Sequence, residues 1–184
     1  SLTHEGARYF GLLEIGSPKP EASYAFVLGV RNSHDKRFPA GLVGGTQVFV
    51  CDNLAFSGEV RIARKHTNGI LRDLDALVAG AIEQLSAGWQ RQDERIRRYR
   101  EFPLNDALAH DLCIRAVDHR VLPVSRLPRV LDHWRNPPHE EFEERNLWSL
   151  FNGFTEALKG NLALLPGRTT ALHRLCDARV RWDG

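Results

Sequence analysis

The chain has 184 residues, of which 42% are hydrophobic and 26% charged, a composition typical of a folded globular domain and unlike that of disordered or fibrous chains. Its formal net charge of +2 means that any nucleic-acid site must come from local clustering of basic residues. No apolar run is long enough to cross a bilayer, and Cys51, Cys113 and Cys176 are widely separated. We therefore expect a soluble, cytoplasmic protein without a disulfide framework and without a membrane partner.

Hydrophobic periodicity in the first third predicts about four strands, over residues 9–15, 24–30, 41–51 and 58–66. The short, proline-rich break between the first two strands favours an antiparallel hairpin. Residues 31–39 are polar and indicate a turn. The last strand alternates, so that one of its faces is expected to lie in solvent.

The pattern changes at Asn68, after which apolar residues recur at three-and-four spacing toward Tyr99. This predicts a long helix that Pro103 ends, and we expect a second helix over 105–117 with Asn105 as its cap. Short helical pieces over 125–134, a helix that starts near Pro138 and stops at Gly160, and a last helix over 167–178 follow. Strands followed by helices indicate an α+β fold. We expect one domain over 1–184, strand-rich over 1–67 and helical over 68–184.

A polar segment, Ser33, His34 and Asp35, follows the second predicted strand and carries residue types used in general acid–base catalysis. Cys51 ends the third strand, and together with His34 it offers a thiol nucleophile and a base. The alternative is structural, because Ser and Asp stabilise tight turns through local hydrogen bonds and a free Cys on an apolar strand is commonly a core residue.

Basic residues cluster on the fourth predicted strand, where Arg61, Arg64, Lys65 and His66 lie close to the aromatic Phe56. Such a strand is able to follow a phosphate backbone while rings stack on bases. The alternative is a strand edge protected by charge. A second cluster lies at the end of the long helix, interleaved with acidic residues that favour surface ion pairs: Arg91, Arg95, Arg97, Arg98 and Arg100.

The remaining polar features are weaker. His110 and Cys113 stand three residues apart, but their spacing matches no standard zinc pattern, so we predict no metal and no cofactor. Trp148, Phe151 and Phe154 are expected to pack in the core. An acidic run offers a surface for a partner protein, although a helix start also attracts such residues: Glu140, Glu141, Glu143 and Glu144.

Three stretches resemble the phage/plasmid-related family called domain of unknown function 932: 29–36 (GVRNSHDK), 47–54 (QVFVCDNL) with Gly58, and 146–160 (NLWSLFNGFTEALKG) with Leu165 and Pro166. The similarity covers most of the chain, which looks like a short version of that family because larger members carry an extra N-terminal portion. The chain also contains no Met, so we expect its natural N-terminus to be missing. The family implies no activity or catalytic residues, but a context of phages, plasmids and integrated elements.

The order of strands and long helix also resembles the β-β-β-α core of single-strand annealing proteins. Our leading hypothesis is a non-enzymatic protein of a mobile element that prefers single-stranded DNA and uses Arg61, Arg64, Lys65 and His66. One alternative is a hydrolase or nuclease centred on His34, Asp35 and Cys51. Another is an interaction module that acts on a host protein. Homo-oligomer formation is left open.

Overall fold

The computed structural model describes residues 2–3, 8–17, 22–35, 39–49, 53–64, 70–160 and 164–181; it describes their side chains except at 2–3, 57–64, 70–78, 81–83 and 85–87. The strands are β1 (Leu2–Thr3), β2 (Arg8–Gly16), β3 (Tyr24–Ser33), β4 (Ala40–Val48) and β5 (Asn53–Arg64). The helices are α1 (Ile70–Glu101), α2 (Asp106–Asp118), α3 (Leu127–Arg135), α4 (Leu147–Leu158) and α5 (Leu165–Val180). Strands precede helices throughout, which confirms the predicted α+β class.

The strands form one antiparallel meander in the order β1-β2-β3-β4-β5. The four predicted strands correspond to β2–β5, and the two-residue β1 was not predicted. β3 is longer than expected and continues to Ser33. Arg31 and Asn32 therefore pair with Phe10 and Tyr9 across the sheet and do not form a turn. The turn is confined to His34 and Asp35 within the described part of this connection.

Helix α5 packs against the backbone of the last strand at Phe56. The amide of Phe56 donates to Thr169 Oγ1 at 2.9 Å. The hydroxyls of Thr169 and Thr170 lie 3.2 Å from the Phe56 carbonyl oxygen, and their closer acceptors are the carbonyl oxygens of Leu165 at 2.9 Å and Pro166 at 2.7 Å in α5 itself. An edge strand presents unpaired backbone groups that otherwise require water or another strand. Thr169 supplies such a partner for the Phe56 amide, and this bond joins α5 to the sheet.

Local signals set most of the helix ends. α1 runs through Gly88 without a break and ends at Glu101, two residues before Pro103. Asn105 caps α2 as predicted, because its side chain accepts from the amide of Leu108 at 2.9 Å. Gly160, with φ of +100°, follows α4 and provides the expected stop.

The predicted start of α4 near Pro138 is wrong, since the helix begins at Leu147 after a short turn over Glu140–Phe142. The cause is a tertiary pairing: the amide of Leu104 donates to the carbonyl oxygen of Arg145 at 2.8 Å, and that of Leu147 donates to Phe102 at 2.9 Å. This pairing keeps the chain extended up to Asn146, whose side chain then caps α4 by accepting from the Ser149 amide at 2.9 Å.

Sheet and helices share one cluster of buried apolar side chains. Trp148, Phe151 and Phe154 are each 1% exposed, which confirms their predicted place in the core. Trp148 stacks on Phe151 with ring centroids 5.7 Å apart, and Phe26 of the sheet stacks on Trp89 of α1 at 5.1 Å. Among the described residues, none of the helices combines the length and apolar character that crossing a membrane requires.

Candidate functional site

Of the predicted catalytic residues, Asp35 forms hydrogen bonds at the turn after β3. The carboxylate of Asp35 accepts from the hydroxyl of Ser33, which is fully buried, and from Arg8 Nε at 2.7 Å. His34 beside it is exposed. These contacts are what a turn-stabilising aspartate makes. Cys51 lies outside the described residues.

The predicted nucleic-acid residues lie at the edge strand of the sheet. Arg61 and Arg64 belong to β5, where they pair in register with Val43 and Ala40. Their side chains are not described, and Lys65 and His66 lie outside the described residues. The prediction that Phe56 stacks on bases beside them is wrong. Its ring is 0% exposed and packs edge-on against Phe10 beneath α5, with ring centroids 6.0 Å apart.

The arginine cluster at the end of α1 is largely engaged within the protein. Arg97 binds Glu94 at 2.6 Å and Glu101 at 2.7 Å, and Arg98 also binds Glu94, at 3.0 Å. Arg95 points into the interior and is only 6% exposed. The surface ion-pair alternative therefore accounts for Arg97 and Arg98, whereas Arg95 pairs with Asp177 of α5 at 3.1 Å.

A basic concavity instead lies between α2 and α5, and we call it the α2–α5 cleft. It encloses about 420 Å³. Its floor is formed by apolar side chains of the two helices, and its polar lining is strongly basic. The polar residues are Asp111, Arg115 and His119 from the C-terminal half of α2 and its cap, and Arg174 and Arg179 from α5.

Ion pairing leaves much of the positive charge of this cleft uncompensated. Asp111 is its one acidic lining residue and pairs with Arg115 at 2.8 Å, one turn away. Arg174 and Arg179 are exposed and pair with no carboxylate among the described residues. The guanidinium of Arg179 lies 5.8 Å from the ring centroid of Phe102, a cation–π contact that orients it.

This arrangement is suited to binding an anion. Guanidinium groups bind phosphate with two parallel hydrogen bonds and remain charged at every physiological pH. A cleft with charge of one sign and low-dielectric walls also concentrates counter-ions of the opposite sign.

No protein-family model, no curated protein and no solved structure matches this chain. The resemblance to domain of unknown function 932 and to single-strand annealing proteins therefore stays a prediction.

A second polar group, largely buried, joins α1 to α5. We call it the α1–α5 hydrogen-bond ring, and its members are Gln92, Arg95, Tyr99, His173 and Asp177. Asp177 Oδ1 accepts from Tyr99 Oη at 2.6 Å and from Arg95 Nε at 3.1 Å. Arg95 Nη1 donates to Gln92 Oε1 at 2.5 Å. This fixes the orientation of the Gln92 side-chain amide, whose Nε2 lies 3.4 Å from Nε2 of His173.

The ring is self-consistent with only one form of His173. Because the Tyr99 hydroxyl donates to Asp177, it accepts from Nδ1–H of His173, 3.2 Å away. Nε2 of His173 then accepts from the Gln92 amide, so the imidazole is neutral. Burial lowers the pKa of His173 well below its usual value, with the Arg95 charge acting in the same direction. Burial also raises the pKa of Asp177, although its hydrogen bonds from Tyr99 and Arg95 oppose this.

The ring contains residue types that occur in catalytic sites, but its side chains are not accessible to a substrate. His173 and the neighbouring Cys176 are each 1% exposed and Tyr99 is 0% exposed. Neither of the two cavities described for this part of the chain is lined by a member of the ring. Its chemistry is therefore that of a satisfied buried network, which orients two helices.

The other predicted sites are also placed. Cys113 is buried, and burial raises the pKa of its thiol to about 11, which opposes the thiolate that a metal needs. No group of three or more His, Cys, Asp or Glu able to hold a metal occurs within the described ranges. In the acidic run, Glu141 pairs with Arg100 at 2.9 Å and Glu144 accepts from Asn146 at 2.9 Å, whereas Glu140 and Glu143 are exposed.

Proposed function

We propose that the chain is a non-enzymatic nucleic-acid-binding protein of a mobile element that prefers single strands and holds their phosphates in the α2–α5 cleft. The observation that carries this proposal is the pair Arg174 and Arg179, exposed on one helix and without a carboxylate partner among the described residues. Phosphate contacts by arginine supply most of the sequence-independent affinity of nucleic-acid-binding proteins.

The shape of the cleft supports the preference for single strands. A duplex is usually contacted by an element that projects into one of its grooves. The α2–α5 cleft is concave, which suits a flexible strand whose backbone bends into it. Arg179 also contacts the ring of Phe102, a residue outside the cleft lining, and this cation–π contact orients its guanidinium. Arg61, Arg64, Lys65 and His66 on and after β5 form a second proposed contact of the same protein.

Fluorescence anisotropy with matched single- and double-stranded oligonucleotides tests the proposal. We expect the single strand to bind more tightly and the double variant Arg174→Glu plus Arg179→Glu to weaken its binding by at least about a hundredfold, as loss of two phosphate contacts and gain of two repulsive charges requires. The matched control is Arg91→Glu plus Arg135→Glu, an equal change of charge at exposed helical positions outside the cleft.

A loss of binding confined to the cleft variant supports the proposed site. Equal losses in both double variants mean that only net charge matters, and they contradict the site. Absence of binding by the unmodified protein at low salt contradicts the function itself. Circular dichroism of each variant shows whether it is folded, and the exposure of all four arginines makes that the expected result.

A further inference from the structure

The charge balance of the α2–α5 cleft points to the kind of anion that it takes. Four charged side chains line it, three arginines and one aspartate. Asp111 and Arg115 pair at 2.8 Å and compensate each other. Arg174 and Arg179 are exposed and pair with no carboxylate within the described ranges. Before any contribution from His119, three arginines less one aspartate give the lining a net charge of +2.

The two unpaired arginines stand on either side of an apolar stripe of α5. Ala171, Leu175 and Ala178 line the cleft and follow the three-and-four spacing that places side chains on one helix face. Successive residues of an α-helix are rotated by about 100°, which puts Arg174 on one side of this stripe and Arg179 on the other. A ligand on the stripe can therefore be bound by a guanidinium group from each side, while its uncharged part rests on an apolar floor.

The size of the cleft limits how much of a nucleic acid it accommodates. Its volume of about 420 Å³ lies near the lower end of the roughly 300–1,000 Å³ that sites for single small molecules occupy. Domains that follow a single strand contact roughly 4–16 nucleotides. The cleft is therefore of a size for one nucleotide and too small for a length of backbone.

We propose that the α2–α5 cleft selects a nucleoside phosphomonoester, with the phosphate between Arg174 and Arg179 and the nucleoside on the apolar stripe. A phosphomonoester has about −1.5 to −2 charge at pH 7 and three acceptor oxygens. These match a lining of net charge +2 with two unpaired guanidinium forks. An internal phosphate of a strand has only one charge. The inference rests on the proposed function and names the part of the strand that the cleft takes, its phosphorylated end. A free mononucleotide offers the same chemistry.

Fluorescence anisotropy with three single strands of one sequence tests the proposal. One strand is phosphorylated at its 5′ end, one at its 3′ end and one at neither, and each is labelled at an internal base. We expect the unmodified protein to bind one phosphorylated strand at least about tenfold more tightly than the unphosphorylated one, because the terminal phosphate adds charge-assisted hydrogen bonds. Equal binding of the three strands overturns the proposal and leaves the nucleic-acid-binding function standing.

A double variant assigns the preference to the two arginines. Arg174→Ala plus Arg179→Ala should bind the three strands equally. The matched control Arg91→Ala plus Arg135→Ala, at exposed positions outside the cleft lining, should keep the preference of the unmodified protein. A preference that persists unchanged in the Arg174 and Arg179 variant overturns the proposal.

Competition distinguishes the strand end from a free mononucleotide. Thymidine monophosphate that displaces the labelled strand at concentrations near the Kd of that strand identifies the free nucleotide as the ligand. Displacement only at concentrations more than about tenfold higher identifies the strand end, which then has further contacts. Inorganic phosphate that competes as well as thymidine monophosphate overturns the assignment of a nucleoside to the stripe. Binding of the mononucleotide without binding of any strand supports the ligand class and contradicts the proposed function, and absence of both contradicts both.

Discussion

Removing a single hydroxyl group, in Tyr99→Phe, opens the α1–α5 hydrogen-bond ring without changing its shape. Tyr99 Oη both donates to Asp177 at 2.6 Å and accepts from His173 Nδ1–H at 3.2 Å. In the variant, Asp177 keeps only Arg95 as a partner within the ring, and the Nδ1–H group of His173 loses its acceptor in a position that is 1% exposed. The substitution therefore leaves a buried donor unsatisfied, and this is the costly outcome for a polar group.

The magnitude follows from that single loss. A buried polar group left without its partner destabilises a protein by about 1–3 kcal/mol. For a chain of this size, 1 kcal/mol corresponds to a shift of roughly 2–4 °C in melting temperature. We therefore expect Tyr99→Phe to lower the free energy of unfolding by about 2 kcal/mol and Tm by roughly 4–8 °C.

Chemical and thermal denaturation followed by circular dichroism measures both quantities. Tyr9→Phe is the matched control, because Tyr9 is 45% exposed and its loss should change stability by less than about 0.5 kcal/mol. A double-mutant cycle with Asp177→Asn then isolates the contact, with an expected coupling energy of about 0.5–3 kcal/mol. A Tyr99→Phe variant as stable as Tyr9→Phe, or a coupling energy near zero, refutes the ring as a stabilising network.

Three other measurements test the structure. Because the pKa of His173 is lowered below its ordinary 6.5, the unfolded chain takes up a proton that the folded chain does not. The free energy of unfolding should therefore fall as pH decreases below about 6.5, and it should fall less steeply in His173→Gln. Equal slopes of this free energy against pH in the two proteins argue against a neutral His173. Cys113 and Cys176 are buried and their thiol pKa values are raised, so both should react with a thiol reagent only after unfolding, with mass spectrometry identifying the labelled residues. Asn105→Ala removes the α2 cap and should lower the free energy of unfolding, measured by urea denaturation, by about 1 kcal/mol. Asn105→Ser keeps a capping side chain and should retain most of that free energy.

Local signals in the sequence predicted the elements well. Alternating and three-and-four periodicities located the strands and helices, and Asn105 and Gly160 were recognised because caps act within a few residues of the helix end. The start of α4 was missed because it depends on the pairing of Leu104 with Arg145, about forty residues apart in sequence, which no local pattern reveals.

The functional residues were less predictable, since they come together from distant elements. Arg115 and His119 stand four residues apart on α2, a spacing that places them on one face of a helix. Their neighbours Arg174 and Arg179 come from α5, and the sequence contains no signal for that packing. Conversely, Phe56 was expected beside an exposed basic face, but Thr169 joins α5 to it.

The most direct test of the phosphate cleft is the salt dependence of binding to a fluorescent single-stranded oligonucleotide. Each phosphate neutralised by the protein contributes about −0.7 to the slope of log affinity against log salt for a single strand. We expect the unmodified protein to bind with a steep negative slope, and Arg174→Ala plus Arg179→Ala to bind with a slope shallower by about 1.4. An unchanged slope in that double variant contradicts the claim that these two arginines contact phosphates.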